Sequence, residues 1–443
     1  MTASPKDDRV AVKIAAVTPR AVRLPGTLCR LLMLFATICL SHTANADFAT
    51  CKEDLVAQAL ATHGEVPALL EMLAAVEEIP RVTQADREQP EFVSSFADYY
   101  RIRVSQQRVD RGRQLRATHS NMLEQIYTAT GVQPHVLLAL WGLETNFGGY
   151  MGKLHVPSAL ATLACGKRRG AFFRGEFAAV ANLVANGDMQ HEELVGSWAG
   201  AMGHMQFMPS TYAAYAIDAD QDGRRNVYSS LADAITSGAN YLHKLGWQPG
   251  FRWGREILLP EDFDYAQAHI NNWQPLRTWR EQGVEDVNGR PLADLELESA
   301  ILVPMGHRGP AFVVYPNFRR LMEWNRSANY ALSVGRLADR IAGLGKLARP
   351  LSTDGGNLTT QHLVQAQNSL TELGYSPGAA DGLLGPATRR ALRAFQTERG
   401  LIADGYPSPE LVTLLLAEKL PSTDTDPQAA VPAGPKEDKA TEG

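Results

Sequence analysis

The sequence predicts a mainly α-helical protein with a small β-rich insertion and a separate three-helix module at its C-terminal end. Three observations carry this expectation. Apolar residues recur at helical spacing through residues 47–130, 169–183, 230–245 and 319–347. Residues 250–315 instead hold short strand-like runs at 256–259, 295–304 and 311–315, separated by Gly and Pro. Finally, the pattern Asp-Gly-x-x-x-Pro occurs twice late in the chain, at Asp381 and at Asp404, each time ahead of an apolar periodic run. A turn at Asp-Gly followed by proline at a helix start explains that echo.

Residues 1–46 have the three parts of an export signal. A basic region ending at Arg30 precedes the apolar run 31–40, and Ala44-Asn45-Ala46 offers a small-residue cleavage site. Ten apolar residues are too few to span a bilayer, so no membrane anchor is expected after cleavage. This segment holds six basic and two acidic residues, so its removal takes the formal charge from −5 to −9. An acidic exported protein is a poor candidate for nucleic-acid binding. Of four cysteines, Cys51 and Cys165 remain after cleavage. In an oxidising compartment their simplest fate is a disulfide, with two buried thiols as the alternative.

Residues 47–347 form the larger unit. Helices are expected over 52–61, 66–78 and 107–130, and the aromatic cluster of Phe92, Phe96, Tyr99 and Tyr100 is expected to pack in the core. Residues 169–183 place Phe172, Phe173, Phe177 and Val180 toward one side of a helix. The segment 230–245 ends at Gly246, as a helix should. Residues 348–357 have linker composition, 358–418 make the three-helix module, and 419–443 have the composition of a disordered tail.

The stretch Gln133 to Gly149 reads as a short helix with one carboxylate at its end. Pro134 suits the first helical position, and Leu137, Leu140 and Glu144 share a face. Gly148 and Gly149 are expected to stop it. A carboxyl among apolar residues there is placed to act as a general acid, whereas a rim Glu paired with an Arg is the plainer reading. A second unusual stretch, Ser197-Trp-Ala-Gly-Ala-Met-Gly-His-Met-Gln206-Phe-Met-Pro-Ser-Thr-Tyr212, is a glycine-rich loop. Its Gln206 can both donate to and accept from a sugar.

These motifs, in this order, resemble the lytic murein transglycosylase B family. The resemblance runs from Leu143-Glu144-Thr-Asn-Phe-Gly148 through the 199–212 loop, Asp220-Gln-Asp-Gly223, Ala239-Asn-Tyr241-Leu and Asn317-Phe318 to Trp324-Asn-Arg-Ser-Ala-Asn-Tyr330. It covers roughly residues 50–347. The last module, with Asp381-Gly, Gly385, Thr388 and Phe395-Gln396, resembles a peptidoglycan-binding domain. The resemblance implies a lysozyme-like catalytic fold and a periplasmic, monomeric enzyme acting on peptidoglycan glycan strands. Glu144 would be the sole general acid and base, and Ser197, Gln206, Tyr241, Asn317 and Tyr330 would line the sugar groove. The product would carry a 1,6-anhydro ring. A hydrolytic muramidase and a non-catalytic wall-binding protein are the alternatives.

One branch of the family binds calcium where this chain has Asp218, Asp220, Asp222 and Asn226. The acid expected at the twelfth loop position is Ser229 here, so a solvated polar turn is the expectation and no cofactor is required. Neither a His-Glu-x-x-His zinc motif nor a Gly-x-Ser-x-Gly elbow occurs, which leaves metallopeptidase and serine-hydrolase chemistry without support.

Overall fold

The computed structural model describes residues 48–87, 95–351 and 359–418. The export-signal segment, Phe92, most of the linker and the C-terminal tail lie outside the described residues. The helices run in the order α1 (48–63), α2 (Pro67–Ala74), α3 (Pro80–Arg87), α4 (Phe96–Arg103), α5 (Gln106–Thr118), α6 (Ser120–Thr130) and α7 (Pro134–Thr145). After strand β1 (Leu154–His155) come α8 (Val156–Ala164), α9 (Gly170–Ala185), strand β2 (Val195–Gly196), α10 (Pro209–Tyr215) and α11 (Leu231–Lys244). A β-rich stretch follows, with β3 (Gly254–Leu258), β4 (Gln274–Pro275), α12 (Leu276–Glu281), β5 (Glu285–Asp286), β6 (Glu298–Leu302) and β7 (Ala311–Val314). Helices α13 (Pro316–Trp324) and α14 (Ala328–Ile341) close the larger unit. The module consists of α15 (Thr360–Glu372), α16 (Pro386–Glu398) and α17 (Pro409–Ala417).

The helix starts follow local chemistry. Proline occupies the first turn of α7, α8, α10, α13, α16 and α17. There its missing N–H costs nothing. Ser95, Ser105, Ser230 and Ser327 cap α4, α5, α11 and α14 by accepting a first-turn N–H. Two helices expected to be continuous are broken. His119, at φ −108°, divides α5 from α6. An extended Asn325 followed by the Ser327 cap divides α13 from α14. Phe96, Tyr99 and Tyr100 are buried, as expected of core aromatics. Of the side expected to be apolar in α9, Phe173, Phe177 and Val180 are buried but Phe172 is not. Spacing explains this, because 173, 177 and 180 fall on one face while 172 lies beside it. The Phe172 ring instead lies under the Arg169 guanidinium, 4.8 Å away.

The centre of the molecule is α7. Every residue from Val136 to Leu143 is buried, so this helix has no solvent face. Helix α14, itself buried from Tyr330 to Ile341, packs along it, and α5 packs on another side. The five-stranded antiparallel sheet, in the order β4-β6-β7-β3-β5, lies against this helical body. On β6 and β7, Ala300, Leu302, Phe312 and Val314 belong to the main core, whereas Ile301, Ala311 and Val313 belong to a second core with Trp279, Phe263 and Val284. Alternate residues thus feed two different cores, as a strand's period of two dictates.

Cys51 of α1 is bonded to Cys165, just past the end of α8, across a sequence separation of 114. Closing so long a loop restricts the unfolded chain. Replacing both cysteines by alanine is expected to lower stability by about 2–5 kcal/mol, with urea unfolding as the measurement. A midpoint unchanged from the parent would refute that role.

Candidate active site

Glu144 occupies the penultimate position of α7. The helix is not stopped by Gly148 and Gly149, as the sequence suggests. Asn146 and Phe147 already take left-handed conformations, at φ 51° and 60°, and Gly148 follows at 80°. Such angles cost a side-chain-bearing residue about 1–2 kcal/mol each, so the surroundings must hold the turn. Phe147 N–H donates to the Trp141 carbonyl at 3.2 Å, and Gly148 N–H to Thr145 Oγ1 at 3.0 Å. Thr145 Oγ1 in turn donates to the His204 carbonyl at 2.9 Å. Trp141 Nε1–H donates to His204 Nδ1 at 3.0 Å, which places the imidazole proton on Nε2. Burial lowers the pKa of His204, consistent with a neutral ring. His204 therefore bolts the glycine-rich loop to the turn that carries Glu144.

Gly148 is needed for this bolt. A Cβ added there would lie 2.4 Å from His204 Cε1. Gly148→Ala is expected to cost roughly 1–3 kcal/mol in chemical denaturation and to lower turnover as His204 shifts. Parental stability in that variant would show the contact to be soft.

The Glu144 carboxyl is half-buried. Trp324 Nε1–H donates to Oε1 at 2.9 Å, and the Tyr330 hydroxyl donates to the same oxygen. Burial, with the adjacent Glu144 charge, raises the Tyr330 pKa well above the ordinary phenol value, so it remains a neutral O–H donor at physiological pH. Two neutral donors on Oε1 fix the rotation of the carboxyl. Trp324 is itself wedged between Phe207 and Tyr241, with ring centroids 5.6 and 5.1 Å away.

The residues expected along a sugar groove divide into two groups. Ser197 and Gln206 lie on the loop that His204 anchors, and Tyr241 is part-buried beside Trp324 and Tyr215. Ser197 Oγ accepts from Ala201 N–H at 3.1 Å and keeps its own proton to donate. Gln206 is more restricted than its chemistry suggests. Its Nε2 is spent on the carbonyls of Met151 (3.2 Å) and Gly203 (3.0 Å), so toward a ligand it can offer only Oε1.

Tyr330 and Asn317 do not line a groove, contrary to expectation. Tyr330 is 3% exposed, and its hydroxyl is committed to Glu144. Asn317 is 0% exposed. Its Oδ1 accepts from Gln248 N–H at 2.7 Å, and its Nδ2 donates to the carbonyls of Gln248 and Phe251, both at 2.9 Å. A carboxamide spent in this way stitches the 248–251 loop to α13 and has nothing left for a substrate. His204, expected at most along the groove, is an anchor instead, and no sequence signal marks the roles of Trp324, Trp141 and Thr145.

The acids near the glycine loop have other engagements. Glu192 pairs with His191 at 3.1 Å and Glu193 with Arg224 at 3.1 Å. In the 218–229 loop, one carboxylate oxygen each from Asp218, Asp220 and Asp222 converge within 4.8 Å of one another. Asn226 does not join them: its Oδ1 accepts from Tyr228 and Ser229 N–H, and its Nδ2 donates to Ser229 Oγ. Calcium takes about 6–8 oxygens, with a bidentate acid at the loop's end. The nearby buried acid, Asp233, instead accepts the N–H groups of Ala219 (2.8 Å) and Asn226 (2.7 Å). The side chains present thus supply only part of a calcium sphere.

Comparison with known proteins identifies the families of both units. Residues 47–339 match the transglycosylase SLT domain family, and residues 359–415 match a peptidoglycan-binding domain family. The chain belongs to the transglycosylase SLT family. It is 31% identical over 230 residues to membrane-bound lytic murein transglycosylase B of Escherichia coli K12, a match spanning 51% of this chain and 61% of that protein. The structure of SltB3 from Pseudomonas aeruginosa, solved with NAG-anhNAM-pentapeptide, aligns with a TM-score of 0.79 at 39% identity, over 83% of this chain and 99% of that one. Escherichia coli lytic transglycosylase SLT35, solved in complex with calcium, aligns with a TM-score of 0.58 at 26% identity, over 66% of this chain and 92% of that one.

Proposed function

We propose that this protein is a lytic transglycosylase of the bacterial cell wall, with Glu144 as its single acid and base. It would cleave the β-1,4 bond between N-acetylmuramic acid and N-acetylglucosamine. The protonated Glu144 carboxyl gives its proton to the glycosidic oxygen as the bond to C1 breaks. The carboxylate so formed then takes the proton of the muramic acid C6 hydroxyl, and O6 bonds to C1. The product is a 1,6-anhydro sugar, and no water is consumed. Glycosidases that add water use two flanking carboxylates. The observation that carries the present reading is that both hydrogen-bond donors on Oε1, Trp324 and Tyr330, are neutral groups aimed at one carboxyl. The nearby acids Glu192 and Glu193 are engaged elsewhere. The substrate's own acetamido group is left to stabilise the positive charge at C1. Ser197, Gln206 Oε1 and Tyr241 would bind the sugars around that bond.

The signal-like segment and the murein-degrading relatives support a periplasmic location. No helix among the described residues is long and apolar enough to cross a membrane. The C-terminal module would hold the enzyme on the wall, as its match to a peptidoglycan-binding family suggests.

Digestion of purified sacculi, followed by mass spectrometry of the released muropeptides, tests the chemistry. Anhydro ends are the expected product. Reducing ends would make the protein a hydrolytic muramidase, and binding without release would leave only a wall-binding role.

A further inference from the structure

The C-terminal module contains one turn built twice. In the first copy, Gln367 of α15 donates from Nε2 to Asp381 Oδ1 at 3.1 Å and accepts at Oε1 from Gly382 N–H at 2.9 Å. Leu383 N–H also donates to Asp381 Oδ1, at 2.9 Å. In the second copy, Gln396 of α16 donates to Asp404 Oδ1 and accepts from Gly405 N–H, while Tyr406 N–H donates to Asp404 Oδ1, all at 2.8 Å. The two glycines are left-handed, at φ 72° and 68°. Each aspartate stands five residues before the proline that opens the next helix, Pro386 or Pro409.

In both copies Oδ1 is consumed inside the turn, and Oδ2 is left for whatever lies outside. In the second copy that is the larger unit of the chain. Asp404 Oδ2 accepts the backbone N–H of His307 at 2.9 Å and His307 Nδ1–H at 2.7 Å. Gly306 comes so close that a Cβ there would meet Oδ2 at 2.4 Å. Asp404 is consequently only 3% exposed. In the first copy Asp381 is exposed, and among the described residues its Oδ2 has no hydrogen-bond partner.

We propose that the Asp381–Gly382 turn is a binding site for the N–H donors of peptidoglycan, taken by Asp381 Oδ2 as Asp404 Oδ2 takes His307. This rests on reading the module as a wall-binding unit. Two sources present such donors: the amides and amines of the stem peptide, and the acetamido groups of the sugars. The docked copy shows what the motif recognises, a backbone N–H with a second N–H beside it.

The test uses the full chain carrying Glu144→Gln, so that the wall is not cleaved, with and without Asp381→Asn. Asparagine can keep an oxygen for Gln367 and Leu383 but puts an amino group where Oδ2 stood. Co-sedimentation with intact sacculi is expected to show affinity reduced at least fivefold by Asp381→Asn. Glycan strands stripped of peptide by an amidase separate the sources. A loss confined to intact sacculi assigns the stem peptide, and a loss on both materials assigns the acetamido groups. Equal affinities on both materials overturn the proposal and leave wall binding standing, whereas no binding by the parent overturns both. A measurement without substitution at Asp381 guards against misfolding. Titrating the same chain with a soluble disaccharide-pentapeptide should shift the amide resonances of Gly382 and Leu383, and unmoved resonances there would also sink the proposal.

Discussion

Glu144→Gln is expected to reduce release of soluble muropeptides from sacculi by roughly 10²–10⁴-fold, the range attributed to one general acid or base. The upper end is favoured, because the proposed mechanism has one carboxyl both give the proton and take it back. The substitution is nearly isosteric, and Trp324 and Tyr330 can still donate to the remaining side-chain oxygen. Unfolding midpoint and sacculus binding should therefore match the parent. A variant that keeps more than a tenth of the activity would mean that another group supplies the proton.

Tyr330→Phe is expected to lower kcat by about 10–100-fold, from the loss of a hydrogen bond to an ionisable group worth about 1.5–3 kcal/mol. KM should change little, because the hydroxyl is committed to the carboxyl and Tyr330 is buried. The pH dependence gives a sharper signature. A donor on Oε1 favours the ionised form of Glu144, so its removal should move the alkaline limb of the pH–rate profile upward. A groove-lining tyrosine would instead raise KM and leave that limb in place. A raised KM with unchanged kcat would return Tyr330 to the groove.

Much of this fold was legible because its punctuation is local. Prolines at helix starts and serine caps mark the beginnings of α4, α5, α7, α11 and α16, and glycines and prolines set off β3, β6 and β7. The breaks at His119 and Asn325 were not legible, since apolar periodicity continues across both. Tertiary demand decides them. The corner at 325–327 lets Trp324 and Tyr330, on different helices, reach the same oxygen. Helix α8 escaped notice for the opposite reason. It is buried on every side and has no polar face to give it a period.

The site was legible in outline only. Glu144 stood out because a lone carboxylate closes an apolar helix. The partners of Tyr330 and Asn317 could not be read, because a hydroxyl or a carboxamide looks the same in sequence whether it faces a sugar or a backbone carbonyl. Three-dimensional accounting of donors and acceptors separates the two cases.

The sheet that feeds two cores bears on which parts of the chain could be gained or lost independently. The 254–314 segment looks like an accessory insertion, yet Phe312 and Val314 are walls of the main core. Excising it would open the helical body to water. Residues 359–418 differ, for Leu370, Leu392, Phe395 and Leu415 make a core of their own. Recombination could exchange that module while leaving the catalytic body intact, provided the newcomer offers His307 an acceptor. The β-rich segment could be exchanged only by repacking the helices around it.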